Sequence, residues 1–170
     1  MPKDYYLKIG NLCKQHDIKF ILDSSGDSLK IALNSNPYFI KPNIDELQDL
    51  TNIKVNNINE AILAGKQLLL TGVENVCISM GKDGMILLNK DNVYIVKIPK
   101  IEVVNTVGSG DSCIAGLALG ILKGYNFEDT LKLANACGIS NAMHLNTGNI
   151  SLNHINKFID EIEVEIYDYN

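Results

Sequence analysis

The sequence predicts an α/β fold with a mostly parallel sheet, and three observations carry that prediction. Short apolar bursts alternate with longer stretches of helical periodicity. Asparagines suited to helix capping stand ahead of two of those stretches. A later pair of alternating segments around Lys90-Asp91-Asn92 adds an antiparallel hairpin, which makes the sheet mixed.

Taken in order, Pro2 to His16 reads as a helix, with proline near its start and Tyr5, Ile9, Leu12, Cys13 and His16 on one face. Lys19 to Leu22 reads as a buried strand that ends at Asp23-Ser24-Ser25-Gly26. A second helix covers Asp27 to Leu33, and Tyr38-Phe39-Ile40 is the next strand. Asn43 caps the following helix, and Glu46 three residues later completes a capping-box pattern. Asn57 and Glu60 repeat the device before Ala61 to Leu70, which Gly72 terminates. Val76 to Ser79 is a strand, followed by the turn Gly81-Lys82-Asp83-Gly84. Met85 to Leu88 and Val93 to Ile98 form the hairpin. Helices then dominate, at Asp111 to Leu122, Phe127 to His144 and Asn153 to Glu163. The chain opens on a helix and one core strand, an order that predicts further amino-terminal structure to cover the sheet edge.

Composition narrows the function classes. The chain has 170 residues, 46% hydrophobic, 21% charged and 6% aromatic, as expected of one globular domain covering residues 1–170. No apolar stretch approaches the roughly 20 residues that a bilayer requires, and no basic-then-apolar leader opens the chain. With 15 basic and 20 acidic residues the net charge is −5, which repels nucleic acid phosphates and anionic lipid. Cys13, Cys77, Cys113 and Cys137 are scattered, the pattern of reduced thiols in a cytoplasmic protein. His16, His144 and His154 show no metal-ligand spacing with one another or with the cysteines, so no metal-binding residues are assigned.

The densest chemical signal is Val104-Asn105-Thr106-Val107-Gly108-Ser109-Gly110-Asp111-Ser112-Cys113. Two glycines flank a small residue just ahead of a helix rich in Ala and Gly. Glycines allow a tight turn in which successive N–H groups face one anion, and the helix start adds its positive dipole end. Asp111 there would compete with a bound anion unless it acts on a hydroxyl aimed at a transferred phosphate. The spacing equally suits an ordinary turn in which Asp111 caps the helix. A Walker A loop requires Gly-Lys-Ser/Thr, whereas Gly110 is followed by Asp111 and Ser112. A dinucleotide fingerprint requires a third small residue where Cys113 stands and an early first strand.

Four segments, in order, resemble the PfkB-type (ribokinase-like) carbohydrate kinases. Asn105 to Gly116 is similar to that family's carboxyl-terminal Gly-Ala-Gly-Asp signature. Lys41-Pro42-Asn43-Ile44-Asp45-Glu46-Leu47 resembles its Lys-Pro-Asn-x-x-Glu-Leu segment. Asp23 to Leu29 and Ser79 to Gly84 match two more. The branch most resembled contains 1-phosphofructokinase and tagatose-6-phosphate kinase, and the resemblance covers only the later half of a family member. It implies a ribokinase-like three-layer α/β/α fold, of which this chain is the carboxyl-terminal portion, with amino-terminal part and lid absent.

The resemblance also implies roles. Asp111 would be the general base, and Gly108, Ser109 and Gly110 would supply a backbone anion hole, Ser109 standing in place of the commoner Ala. Lys41 and Asn43 would approach the phosphates of ATP and its Mg2+. Ser79, Gly81 and Gly84 would line the nucleotide, and Asn135 would lie against the adenine. Each has a plainer reading: Lys41 as a solvated strand-end lysine, Asn43 as a helix cap, Ser79 to Gly84 as a hairpin turn, and Asn146-Thr147-Gly148 as a helix stop. The implied reaction is phosphorylation of a sugar phosphate, fructose 1-phosphate first and tagatose 6-phosphate second, with the chain alone expected to be inactive. A silent nucleotide-binding module and a structural remnant associating through its uncovered edge are the alternatives, and self-association is expected of all three.

Overall fold

The computed structural model describes residues 2–168, and among them seven α-helices and six strands. The chain divides into two compact units, residues 2–80, 85–93 and 166–168 forming one and residues 81–84 and 94–165 the other.

The first unit begins with helix α1 (Tyr5–Gln15), strand β1 (Ile21–Leu22), helix α2 (Gly26–Ala32) and strand β2 (Phe39–Ile40). Helices α3 (Ile44–Thr51) and α4 (Ile58–Leu69) follow, then strands β3 (Asn75–Ser79) and β4 (Met85–Leu88). β1 pairs with β2 and β2 with β3 in parallel, in the registers Ile21–Phe39 and Phe39–Asn75. β3 and β4 are antiparallel, with Cys77 opposite Leu87. Every residue of β4, and all of β3 but Ser79, is buried rather than every second one, as in a sheet covered on both faces. On one of those faces α4 approaches closely: a Cβ on Gly65 would lie 2.7 Å from Leu88 Cδ1. Phe39, Ile40, Val76, Ile78 and Leu87 form the core beneath.

Both asparagines cap their helices, and the reciprocal box closes at α3. In α3 the Asn43 amide donates to Glu46 Oε2 and the Glu46 amide to Asn43 Oδ1, each at 2.9 Å. At α4 the Glu60 amide donates to Asn57 Oδ1 at 3.0 Å. β4 turns into strand β5 (Asn92–Lys97) through buried Asn89, whose Oδ1 accepts the amides of Asp91 and Asn92.

In the second unit, helices α5 (Ser109–Lys123) and α6 (Phe127–Ala142) lie against each other along a glycine seam. A Cβ on Gly116 would come within 2.7 Å of Ala134 Cα, and one on Gly120 within 2.8 Å of the Thr130 side chain. Helix α7 (Leu152–Phe158) packs on α6, with the His144 and His154 rings 5.0 Å apart.

The carboxyl-terminal helix expected over Asn153 to Glu163 stops at Phe158, and strand β6 (Glu163–Asp168) follows it. Glu-Val-Glu-Ile-Tyr-Asp alternates with a period of two and is rich in β-favouring side chains, which suits an edge strand. Helix α5 also begins two residues earlier than expected, so Asp111 sits inside its first turn.

Candidate functional site

Of the predicted site residues, Lys41, Asn43 and Ser79 belong to the first unit, and Gly81, Gly84, Gly108 to Asp111 and Asn135 to the second. In the first unit, Lys41, Asn43 and Ser79 gather at the carboxyl ends of parallel strands β2 and β3, where open α/β sheets bind ligands. Lys41 is not a solvated lysine: it is 7% exposed, and its ammonium lies 3.4 Å from the Asp23 carboxylate at the end of β1. Asp23 was not singled out from the sequence, although its segment was, because only the pairing of β1 with β2 brings it to Lys41. Asn43 is the α3 cap and also bridges to Ser79, whose amide donates to Pro42 O at 3.0 Å. The capping reading of Asn43 is therefore realised whatever else it does.

Gly81 and Gly84 form a separate turn, closed by the Gly84 amide donating to Gly81 O at 3.2 Å. A Cβ on Gly84 would lie 2.0 Å from Val96 O, so the fold itself requires glycine there. Gly81, at φ +59°, faces open space. Asn135 is buried in α6 and its Nδ2 donates to Leu131 O at 2.9 Å, a bond within its own helix.

The glycine loop in the second unit is anchored at both ends. The amides of Val104 and Asn105 both donate to Ala142 O, at 2.8 and 3.1 Å. Asn105 Nδ2 donates to Leu145 O, and its Oδ1 accepts the Val107 amide at 3.0 Å. Gly108 is the amino-terminal cap of α5 at φ 82°, and a Cβ on it would meet Thr147 Cγ2 at 2.4 Å. Both the backbone angle and the neighbour thus demand glycine.

The first helical bond runs from the Ser112 amide to Gly108 O at 2.9 Å. The Ser109 amide, expected in the anion hole, instead donates to Thr106 O at 3.1 Å and closes a turn. The amides of Gly108, Gly110 and Asp111 have no acceptor among the described residues, which leaves Gly110 and Asp111 as open first-turn donors of a 15-residue helix. The Asp111 carboxylate is exposed and makes no ion pair or hydrogen bond among the described residues. It is free to meet a ligand, as is the backbone beside it.

Asn141, in the last turn of α6, is the residue that the sequence did not reveal. It is 1% exposed, and its Nδ2 donates to Val107 O at 2.9 Å and to Ser109 Oγ at 3.0 Å. Its Oδ1 accepts the Gly148 amide at 2.7 Å. No spacing in the sequence marks this asparagine, because its partners lie 34, 32 and 7 residues away.

For a divalent metal, Asn43 Oδ1 and Glu46 Oε2 are turned onto each other's backbone amides, and no group of three or more His, Cys, Asp or Glu among the described residues is placed to hold a metal ion. No helix among the described residues is long and apolar enough to cross a membrane.

Comparison with known proteins adds the family context. Residues 1–154 match the pfkB family carbohydrate kinase. The chain is 45% identical over 164 residues to a tagatose-6-phosphate kinase of Staphylococcus epidermidis, covering 95% of this chain and 53% of that protein. It is 41% identical over 167 residues to a 1-phosphofructokinase of Borreliella burgdorferi, covering 97% of this chain and 53% of that protein. It therefore spans about half the length of the curated relatives it matches. Arabidopsis thaliana ribokinase complexed with ribose and ATP superposes with a TM-score of 0.84 at 22% identity, covering 93% of this chain and 53% of that one, a likeness of fold that agrees with the expected ribokinase-like class.

Proposed function

The chain belongs to the pfkB family of carbohydrate kinases, and from that premise we propose that it forms the nucleotide-binding part of an ATP-dependent kinase acting on a phosphorylated ketohexose. The observation that carries the reading is the coincidence of unpaired Gly110 and Asp111 amides with an unengaged Asp111 carboxylate at one helix start.

Phosphoryl transfer depends chiefly on positioning and on neutralising charge at the equatorial oxygens. In the proposed reaction Asp111 accepts the proton of the acceptor hydroxyl as its oxygen bonds to the γ-phosphorus. The bond from that phosphorus to the β–γ bridging oxygen breaks, and ADP departs. The amides of Gly110 and Asp111, with Gly108 beside them, receive the phosphoryl oxygens, and such preorganised donors contribute about 3 kcal/mol each. The ammonium of Lys41, held by Asp23, is assigned to the ATP phosphates, together with Asn43. Ser79, Gly81 and Gly84 are assigned to the nucleotide and Asn135 to its base. Mg2+ bound to ATP supplies further charge neutralisation. Fructose 1-phosphate and tagatose 6-phosphate are the proposed acceptors, since relatives named for both reactions match at similar identity.

The alternative reading is a module that binds ATP without transferring phosphate. Self-association or docking of a further segment at β1, the strand that begins the sheet order, fits either reading. A cytoplasmic site of action is proposed from four cysteines that form no disulfide with one another and an ATP-using chemistry.

Calorimetric titration of this chain with MgATP tests the reading, followed by assay of phosphate transfer to both sugars. Binding with transfer supports the kinase, and binding without transfer supports the module. Absence of ATP binding overturns both.

A further inference from the structure

Asn141 and the glycine loop together point to a function beyond holding two segments in contact. Consider which carbonyls would accept the open amides if α5 were extended backwards by α-helical bonds. The Gly110 amide would go to Thr106 O and the Asp111 amide to Val107 O. Neither bond forms. Thr106 O already accepts the Ser109 amide at 3.1 Å, and Val107 O accepts Asn141 Nδ2 at 2.9 Å. Gly108, at φ 82° and ψ 0°, turns the chain out of the helix at the same point.

The Asn141 carboxamide can work only one way round. Both Nδ2 hydrogens are used, on Val107 O and Ser109 Oγ, and Oδ1 takes the Gly148 amide at 2.7 Å. Flipping it would set an oxygen against the Val107 carbonyl and a donor against a donor. Being 1% exposed, it cannot exchange these partners for water. Gly138, one turn earlier on α6, lets that helix come close: a Cβ there would lie 3.2 Å from Ser109 O.

We propose that Asn141 is a positioning residue which, by holding the Val107 carbonyl and the Ser109 hydroxyl on either side of Gly108, fixes the left-handed turn there and so keeps the Asp111 amide from closing onto Val107 O and available to a phosphate. The proposal rests on the reading of Gly108 to Asp111 as the phosphate site. It is distinct from catalysis, because Asn141 acts only through the loop. Ser109 strengthens the device, since its hydroxyl gives the second Nδ2 hydrogen an acceptor that an alanine would lack.

The test uses this chain and two readouts, residue-resolved amide hydrogen exchange and MgATP affinity. In the wild type, the Gly110 and Asp111 amides exchange freely while Cys113 is protected. In Asn141→Asp, which keeps the acceptor for Gly148 but loses the donor to Val107, the Asp111 amide gains protection at least about tenfold and ATP binds about tenfold more weakly. Asn141→Leu, close in size, gives the same two changes. A wild-type Asp111 amide as protected as that of Cys113 overturns the proposal without any variant being made. So does a folded Asn141→Asp whose Asp111 exchange and ATP affinity both equal the wild type. If the wild type binds no ATP, the kinase reading fails, and the exchange measurement still decides whether Asn141 holds the amide open.

Discussion

Asp111 and Gly108 stand three residues apart and depend on different physics. The carboxylate of Asp111 bears no structural duty, since no partner among the described residues holds it. Asp111→Asn should therefore leave the thermal midpoint and ATP affinity nearly unchanged. In an assembly that transfers phosphate it should lower turnover by roughly 10²- to 10⁴-fold, the usual contribution of a positioned general base. Turnover within a few-fold of the wild type would remove Asp111 from that role. Gly108, by contrast, is structural first. Gly108→Ala forces a side chain onto a left-handed backbone and into Thr147, so it should cost about 1–3 kcal/mol in urea denaturation and weaken ATP binding as well. Lys41 belongs to a third kind, a buried cation held by one partly exposed carboxylate.

At the scale of elements, the helix caps and the glycine seam set how firmly the site is held. Asn43→Ala removes the side-chain acceptor of the Glu46 amide but keeps the backbone amide that donates to Glu46, and should destabilise the fold by about 1 kcal/mol. Were Asn43 only a cap, Asn43→Ser would restore stability and ATP affinity together; restored stability with weak ATP binding assigns it a ligand contact. At α4, hydrogen bonds from the Asn56 backbone and side chain and from Asn57 hold Glu60 below its ordinary 4.5. A carboxyl lowered on folding stabilises the fold above its unfolded value and loses that contribution as pH falls through the folded one. Thermal scans should thus show a midpoint that declines below about pH 4.5, with a shallower decline in Glu60→Gln. Between α5 and α6, Gly116→Ala would push a methyl to within 2.7 Å of the Ala134 backbone, forcing the helices apart at a cost of about 1–3 kcal/mol.

For the molecule as a whole, burial ranks the thiols: Cys77, Cys113 and Cys137 are buried and Cys13 is half-buried, with desolvation also raising the Cys137 thiol above its ordinary value. Native alkylation should therefore label Cys13 first, and four thiols should react only after denaturation; prompt native loss of a second thiol would show that a unit opens. The fold class was legible because hydrophobic periodicity is a local property, and so were the helix starts at Asn43 and Asn57, where cap and partner sit three residues apart. The glycine loop was legible for the same reason, since its turn depends on adjacent residues. The last strand was hidden because an edge strand with acidic alternation looks, over so short a length, much like the tail of a helix. What only the tertiary structure decided was which polar groups are already spent: the Ser109 amide on Thr106, Lys41 on Asp23, and Val107's carbonyl on Asn141. Residue types alone determined that donors and a carboxylate would cluster near Gly110. Their availability follows from the tight turn that spends the Ser109 amide on Thr106 and from the bonds of Lys41 to Asp23 and Asn141 to Val107, made across sequence separations that no local pattern encodes.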